Sequence, residues 1–179
     1  MKIYRQAARI DAILETWRAQ LAGDFDAYRN HCYRVLNFCL ALGGESGDAM
    51  DKVSIAVAFH DLGIWANRTY DYLDSSRALS RDYLANGGQS AWAAEIDSMI
   101  AYHHKLTRYR AEAGAQVEAF RKADWIDVSR GRLTFGLSPR FIADVISAFP
   151  NAGFHARLVA LTVQRLKTHP LSPLPMMRL

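Results

Sequence analysis

Residues 53–65, VSIAVAFHDLGIW, carry two polar side chains, His60 and Asp61, at the end of a largely apolar stretch. The apolar residues recur at the three- and four-residue spacing of one face of an α-helix, and His60 continues that spacing. Gly63 follows, and glycine is the residue type that most often ends a helix. This stretch therefore predicts a buried helix that ends on an imidazole and a carboxylate.

The same helical spacing extends over nearly the whole chain, and we find no convincing period-two alternation of the kind that marks β-strands. Turn-forming residues separate the periodic stretches, with Gly43-Gly44 after one helix and the capping pair Ser138-Pro139 before another. We predict an all-α fold: a single-domain bundle of about seven to eight helices over residues 1–168, then a proline-rich tail over residues 169–179. The predicted helices span residues 3–21, 24–42, 48–63, 75–84, 89–104, 116–129, 139–150 and 153–168, with residues 64–74 as a loop.

Length and composition exclude several classes of protein. A chain of 179 residues that is 50% hydrophobic and 22% charged has the composition of one globular domain and not of a disordered protein. No run of ~18 apolar residues predicts a membrane span, and Met1–Arg5 leads directly into an amphipathic pattern without the core of a signal peptide. The net charge of +4 suits an anionic ligand, but the basic residues are scattered, so we expect no nucleic-acid partner.

The two cysteines, Cys32 and Cys39, lie in one predicted helix. Their spacing along a helix is about 10.5 Å, which is beyond the reach of a disulfide. We therefore predict two buried free thiols. Free thiols and the absence of a targeting segment favour a cytoplasmic location.

Four predicted helices each carry a metal-ligand residue type on an apolar face: His31, His60, the pair His103-His104, and Asp124. Any one of them alone is more often a hydrogen-bonded core residue. A buried carboxylate without a partner is costly, however, and several imidazoles accompany it. The joint pattern makes sense if these side chains converge on a divalent cation.

The other histidines and aspartates near these positions are expected to have supporting roles or none. Adjacent side chains on a helix point about 100° apart, so we expect at least one of His103 and His104 to face substrate, lie behind a ligand or reach the surface. Asp127, one turn after Asp124, is expected to be solvated or to lie behind a ligand. We expect no functional role for His155 or for His169.

Four segments together resemble the signature of the HD-domain superfamily of metal-dependent phosphohydrolases. The segments are NHCYRV (30–35), VAFHDLGIW (57–65), MIAYHHKL (99–106) and KADWIDV (122–128). The resemblance covers residues 28–130 and implies an all-helical core that holds one or two divalent metal ions. It implies that the metal ligands are His31, His60, Asp61 and Asp124, and that His103 and His104 supply a further ligand or contact substrate.

The chain departs from that family pattern at two places. Dinuclear members usually carry another histidine between the central pair and the double histidine, but residues 62–102 contain none. We therefore expect one divalent ion per chain (Mn, Co, Ni, Mg, Zn or Fe), or a second ion that is held poorly. Several subfamilies carry a lysine three residues after the central aspartate, where this chain has Ile64, which argues against the iron oxygenase branch.

We expect a metal-dependent phosphohydrolase that cleaves a small phosphorylated molecule, with a nucleotide among the candidates, by means of a metal-activated water. Asp61 is the predicted catalytic residue, since it can both bind the ion and orient the water. Guanidinium and ammonium groups bind phosphate well. The candidate substrate contacts are Arg34, Arg68, His103, His104 and Lys105.

Two alternatives stay open at this point. One is a different enzyme on the same scaffold: a non-phosphoryl hydrolase, a hydratase or an iron oxygenase. The other is a non-catalytic metal-binding module used in signalling, in which protein ligands would close the coordination shell. We expect no membrane partner, and a homodimer is left open.

Overall fold

Within residues 1–45, 47–111 and 114–177, which the computed structural model describes, the chain folds into helices and forms no β-strand. Eight helices in these ranges have nine or more residues, so the predicted all-α bundle of seven to eight helices is confirmed. The helices are α1 (Ala8–Thr16), α2 (Arg18–Leu21), α3 (Phe25–Gly43), α4 (Ala49–Phe59), α5 (Gly63–Ala66), α6 (Leu73–Asn86), α7 (Ala93–Tyr102), α8 (Ala115–Val128), α9 (Pro139–Ala148) and α10 (Phe154–Thr168). Across the described ranges, every helix is too short or too polar to traverse a lipid bilayer.

Helix α3 is the central element, and α1, α4, α8 and α9 pack around it. Every residue from His31 to Leu40 is buried, so this helix has no solvated face. A helix buried on all sides must find protein partners for each of its polar groups. Cys32 and Cys39 are both free and buried here, as predicted.

Two predicted helices are shorter in the structure than their apolar spacing suggested. The first begins only at Ala8 and breaks at Trp17, and the helix predicted to reach residue 63 ends at Phe59. The chain then turns through residues 60–62 into the short helix α5. His60 still has helical backbone angles, with φ −56° and ψ −38°, so it continues the path of α4 into this turn.

Gly63 allows this turn because α5 lies against the start of α6. A Cβ at Gly63 would lie 2.7 Å from the Tyr72 carbonyl oxygen and 3.0 Å from Ser76 Oγ. The backbone N–H of Gly63 also donates to Ser76 Oγ at 3.0 Å. The close approach therefore requires glycine and ties the turn after α4 to α6.

The C-terminal part of the chain closes one side of the bundle. Ser138 Oγ accepts a hydrogen bond from the Phe141 N–H, which confirms the predicted cap of α9. After α10 the tail bends back, and Met176 is 4% exposed. The last part of the predicted tail, residues 178–179, lies outside the described residues.

Gly63→Ala should lower the free energy of unfolding by about 1–3 kcal/mol, because the added methyl group must displace backbone of the next helix. Urea unfolding measures the change. Gly23→Ala is the matched control, since a Cβ at Gly23 has no described atom within 4 Å. Equal unfolding free energies for the two variants would contradict the assigned close contact.

Candidate metal centre

Side chains from separate parts of the bundle meet at one buried point. His31 comes from α3, His60 and Asp61 from the turn after α4, and Asp124 from α8. The structure thus brings together all four residues predicted as metal ligands. Each of them is at most 3% exposed.

The centre is built on two histidines whose Nε2 atoms lie 2.8 Å apart, those of His31 and His60. His31 Nδ1 lies 2.6 Å from Asp127 Oδ2, and His60 Nδ1 lies 2.8 Å from the Val57 carbonyl oxygen. Because those oxygens only accept hydrogen bonds, each Nδ1 carries the proton and each Nε2 presents a lone pair. Two facing lone pairs repel, so this contact needs a cation or a shared proton.

Two carboxylates flank the histidine pair. Asp61 Oδ2 lies 3.7 Å from His31 Nε2 and 3.6 Å from His60 Nε2. Asp124 Oδ1 lies 3.7 and 3.8 Å from the same two nitrogens. Asp61 Oδ1 and both oxygens of Asp124 are buried and accept no hydrogen bond from the described part of the chain. Buried acceptors without donors are rare in folded proteins and call for a missing positive partner.

Both rings of the double histidine lie beside the centre, and the His104 side chain is 15% exposed, in keeping with the expectation that at least one of the two faces substrate or reaches the surface. Helix α7 ends at Tyr102, so both histidines lie in a turn and not on a helix. His103 Nε2 lies 3.4 Å from Asp61 Oδ1, and His104 Nδ1 lies 3.3 Å from Asp124 Oδ2. His103 Nδ1 donates to the Ile100 carbonyl oxygen at 2.7 Å, so a third imidazole turns its Nε2 toward the carboxylates.

The electrostatic environment suits ligands for a cation. Burial lowers the pKa of His60 to about 3, which keeps its ring neutral, and burial raises the pKa of Asp124 to about 7. Burial alone would raise the pKa of Asp61, but the His103 imidazole, whose own pKa the carboxylate helps to raise, holds the pKa of Asp61 well below its usual range. Neutral imidazoles and carboxylates are the donor groups that divalent metals bind, and metal binding displaces any proton they hold.

Asp61 belongs to two overlapping groups of donor atoms. One consists of His31, His60 and Asp61, and the other of Asp61, His103 and His104, with the atoms of each group within 4.8 Å of one another. Metal–ligand bonds of ~2.1 Å place neighbouring ligand atoms about 3.0–3.4 Å apart, close to the separations found here. The donor set therefore fits a divalent ion.

Asp127 and Arg34 support the centre from behind. Asp127 holds the His31 ring in place, and Arg34 Nε and Nη2 both donate to its carboxylate, the second at 2.9 Å. Burial alone would raise the pKa of Asp127, but His31 and the Arg34 guanidinium hold it below its usual range. The predicted position behind a ligand is the one found, and a carboxylate there orients a metal-binding imidazole.

The structure does not place Arg34 where a substrate contact requires it. Arg34 is 1% exposed, and Nη1 donates to the Phe149 carbonyl oxygen at 3.0 Å. Its guanidinium is thus engaged by Asp127 and the backbone. Spacing on α3 predicted the correct face for Arg34 but could not show which partner covers that face.

The other two predicted basic contacts also lie apart from the centre. Arg68 lines a separate cavity of about 480 Å³ together with Arg157 and Arg165. Lys105 is held through its carbonyl oxygen, which accepts from Arg121 Nη1 at 3.1 Å. Neither side chain is among the described residues that line the cavity of about 360 Å³ reaching Asp61 and His104.

Two aromatic residues of α10 were missed by the sequence analysis. The Phe154 ring stacks on His31, with centroids 4.0 Å apart and planes inclined by 16°. His155, for which no role was expected, is 9% exposed and its Nε2 donates to the Asp127 carbonyl oxygen at 2.9 Å. The packing of α10 against α3 and α8 creates these contacts, and the spacing of apolar residues within α10 does not predict them.

These contacts define a buried centre suited to a divalent cation and open to a cavity. No protein-family model, curated protein or solved structure matches this chain.

Asp124→Asn should stabilise the metal-free protein, because the neutral amide removes a buried charge and adds a donor. We expect its unfolding midpoint at pH 7.5, in chelator, to rise by about 2–4 °C. The pKa of the folded-state carboxyl is about 7, above its ordinary value, so its stabilising contribution is lost as pH rises from about 4 to about 7.

The stability gap between Asp124→Asn and the wild type should therefore widen with pH over that window in thermal unfolding. Added Zn²⁺ or Mn²⁺ should raise the midpoint of the wild type and leave that of the variant nearly unchanged. An equal metal response in both proteins would exclude Asp124 from the centre.

Asp127→Asn should weaken metal binding by about 10–100-fold, because a neutral amide holds the His31 ring less firmly than the negatively charged carboxylate does. Competition with a chromophoric chelator measures the affinity. The exposed Asp144→Asn on α9 is the control. Unchanged affinity in Asp127→Asn would remove Asp127 from any supporting role.

Proposed function

We propose that the chain is a metal-dependent phosphohydrolase of the HD type. The convergence of His31, His60, Asp61 and Asp124 carries the proposal, since buried lone pairs and carboxylate oxygens meet there and no described residue donates to those oxygens. The order of these residues along the chain is that of the family signature which the sequence resembles. We propose one tightly held ion per chain at this set.

Access to the centre favours an enzyme over a structural metal site. Asp61 and His104 both line the cavity of about 360 Å³, so the cavity ends beside the metal centre, where the His104 side chain is 15% exposed. A structural ion is typically enclosed by protein ligands on all sides. The open side therefore supports catalysis over a purely structural role in signalling.

A divalent ion bound here would lower the pKa of its water to about 7 and stabilise negative charge on a phosphoryl oxygen. Asp61 Oδ2 faces His31 and His60, while Oδ1 has no hydrogen-bond donor among the described residues. We assign Oδ1 to orient the attacking water by accepting a hydrogen bond from it. As the water oxygen bonds to phosphorus and the ester P–O bond breaks, the proton that the water loses is transferred to the leaving oxygen, so the products are the alcohol and phosphate.

The surrounding residues hold this arrangement in place. Asp127 fixes the His31 ring from behind. The Tyr72 hydroxyl lies 2.9 Å from His104 Nε2, and burial raises the pKa of Tyr72 well above its usual value, so this hydroxyl keeps its proton. Tyr72 can therefore donate to His104 and position it at the cavity wall.

The two cysteines bear on the cellular compartment in which the protein acts. Cys32 and Cys39 are both buried free thiols. Free thiols are typical of reducing compartments, so we propose that the protein acts in the cytoplasm on a small phosphorylated molecule.

Asp61→Asn should reduce phosphoester hydrolysis by about 100-fold or more, because it removes the charge that binds the ion and orients water. The assay uses protein stripped with chelator, reloaded with Mn²⁺, Co²⁺, Ni²⁺, Mg²⁺ or Zn²⁺, and p-nitrophenyl phosphate. Asp82→Asn, an exposed change on α6, should retain full activity.

Wild-type turnover in Asp61→Asn would overturn the role given to that residue. Two irons per chain without hydrolysis under any metal would instead favour the oxygenase alternative.

A further inference from the structure

We infer that the substrate is the phosphate ester of an apolar alcohol, and that the cavity between α10, the C-terminal segment and the metal centre binds the alcohol part. The phosphate half of this inference rests on the proposed function. The apolar half rests on the walls of the cavity.

The cavity of about 360 Å³ has one polar end and an apolar remainder. Asp61, Tyr72 and His104 form the end at the metal centre. None of the described residues that line the cavity is a lysine or an arginine. The apolar walls are formed mainly by Leu158, Val159, Val163, Leu174, Met176 and Met177.

The polar groups within the apolar walls are already engaged by the protein. The Tyr70 hydroxyl donates to Thr162 Oγ1 at 2.7 Å, and Thr162 Oγ1 donates to the Leu158 carbonyl oxygen at 2.9 Å. Trp125 Nε1 donates to the Lys105 carbonyl oxygen at 3.3 Å. These walls therefore offer ring faces and methyl groups to a ligand, and few free hydrogen-bonding groups.

This lining disfavours the nucleotide that the sequence analysis kept among the candidates. A ribose and a base would bury hydroxyl and amide groups against walls that cannot bond them, at a cost of about 1–3 kcal/mol for each unpaired group. An alkyl chain or a phenyl ring would gain from the same walls. The walls thus select for an apolar leaving group.

Position and size set further limits on the substrate. Arg34 is buried in its ion pair with Asp127, and Arg68 lines another cavity, so neither can bind the phosphate of a ligand in this cavity. The phosphate would therefore bind at the end of the cavity that is formed by the metal centre. At ~30 Å³ for a water-sized group, the cavity holds roughly twelve such groups. That space suits a short alkyl chain or a single aromatic ring and is too small for a two-chain lipid.

Two valines of α10 belong to the cavity and yet remain largely exposed. Val159 is 62% exposed and Val163 is 48% exposed. Exposed apolar side chains that cluster beside a cavity often mark a ligand-binding surface. An apolar ligand would cover the faces that these side chains turn to the cavity.

The test is a series of ethyl, butyl, hexyl and phenyl phosphates, hydrolysed by the full chain loaded with Mn²⁺. We expect kcat/KM to rise by up to about fourfold per added methylene, equivalent to ~0.8 kcal/mol, until the cavity is filled. In parallel, calorimetry measures binding of the matching alkylphosphonates, which cannot be hydrolysed. Their affinity should rise along the series in the same way.

Val163→Glu should flatten both chain-length series, because it places a carboxylate in the apolar wall. Leu166→Glu is the matched control: Leu166 also lies on α10 and is equally exposed at 48%, but it is not among the residues lining the cavity. The control should keep the wild-type dependence on chain length.

The two assays separate this inference from the proposed function. If the esters are hydrolysed at rates that do not depend on chain length, the apolar site is wrong and the proposed phosphohydrolase activity is retained. Phosphonate affinity that rises with chain length, without hydrolysis of any ester, supports the apolar site and overturns the phosphohydrolase. A series that flattens equally in Val163→Glu and Leu166→Glu assigns the effect to the helix surface and overturns the cavity.

Discussion

The contact between the Nε2 atoms of His31 and His60, 2.8 Å apart, is the constraint on which the rest of the structure depends. Both nitrogens present lone pairs, and the buried carboxylates of Asp61 and Asp124 add negative charge beside them. Such an arrangement is unfavourable without a positive partner and becomes favourable around a cation. The surrounding bundle supplies the packing that holds these groups together.

The ends of two helices bring these groups to one point. Helix α4 ends at Phe59 and helix α7 at Tyr102, so each following polar pair lies in a turn. His60 and His103 each keep helical backbone angles at the end of their helix, and the side chain that follows each of them lies beside the same centre. The rings are then fixed from behind, His60 by the Val57 carbonyl oxygen and His31 by Asp127.

Much of this could be predicted from sequence, because amphipathic spacing reports which face of a helix is buried. That spacing predicted the helical bundle and the convergence of His31, His60 and Asp124, and the resemblance to the HD-domain signature implied Asp61 as a further ligand. It misjudged Arg34, because a single helix does not reveal which residue of another helix covers its buried face. Phe154, His155 and the apolar cavity were missed for a related reason, since the docking of α10 and the tail depends on contacts distant in sequence.

Anomalous diffraction from crystals of the metal-loaded protein, recorded at the absorption edge of the metal, locates the ion directly. We expect one strong peak about 2.0–2.3 Å from the Nε2 atoms of His31 and His60, in contact with carboxylate oxygens of Asp61 and Asp124. A crystal saturated with metal that shows no peak there, and retains the short contact between the two rings, would contradict this expectation. A shared proton would then hold the pair.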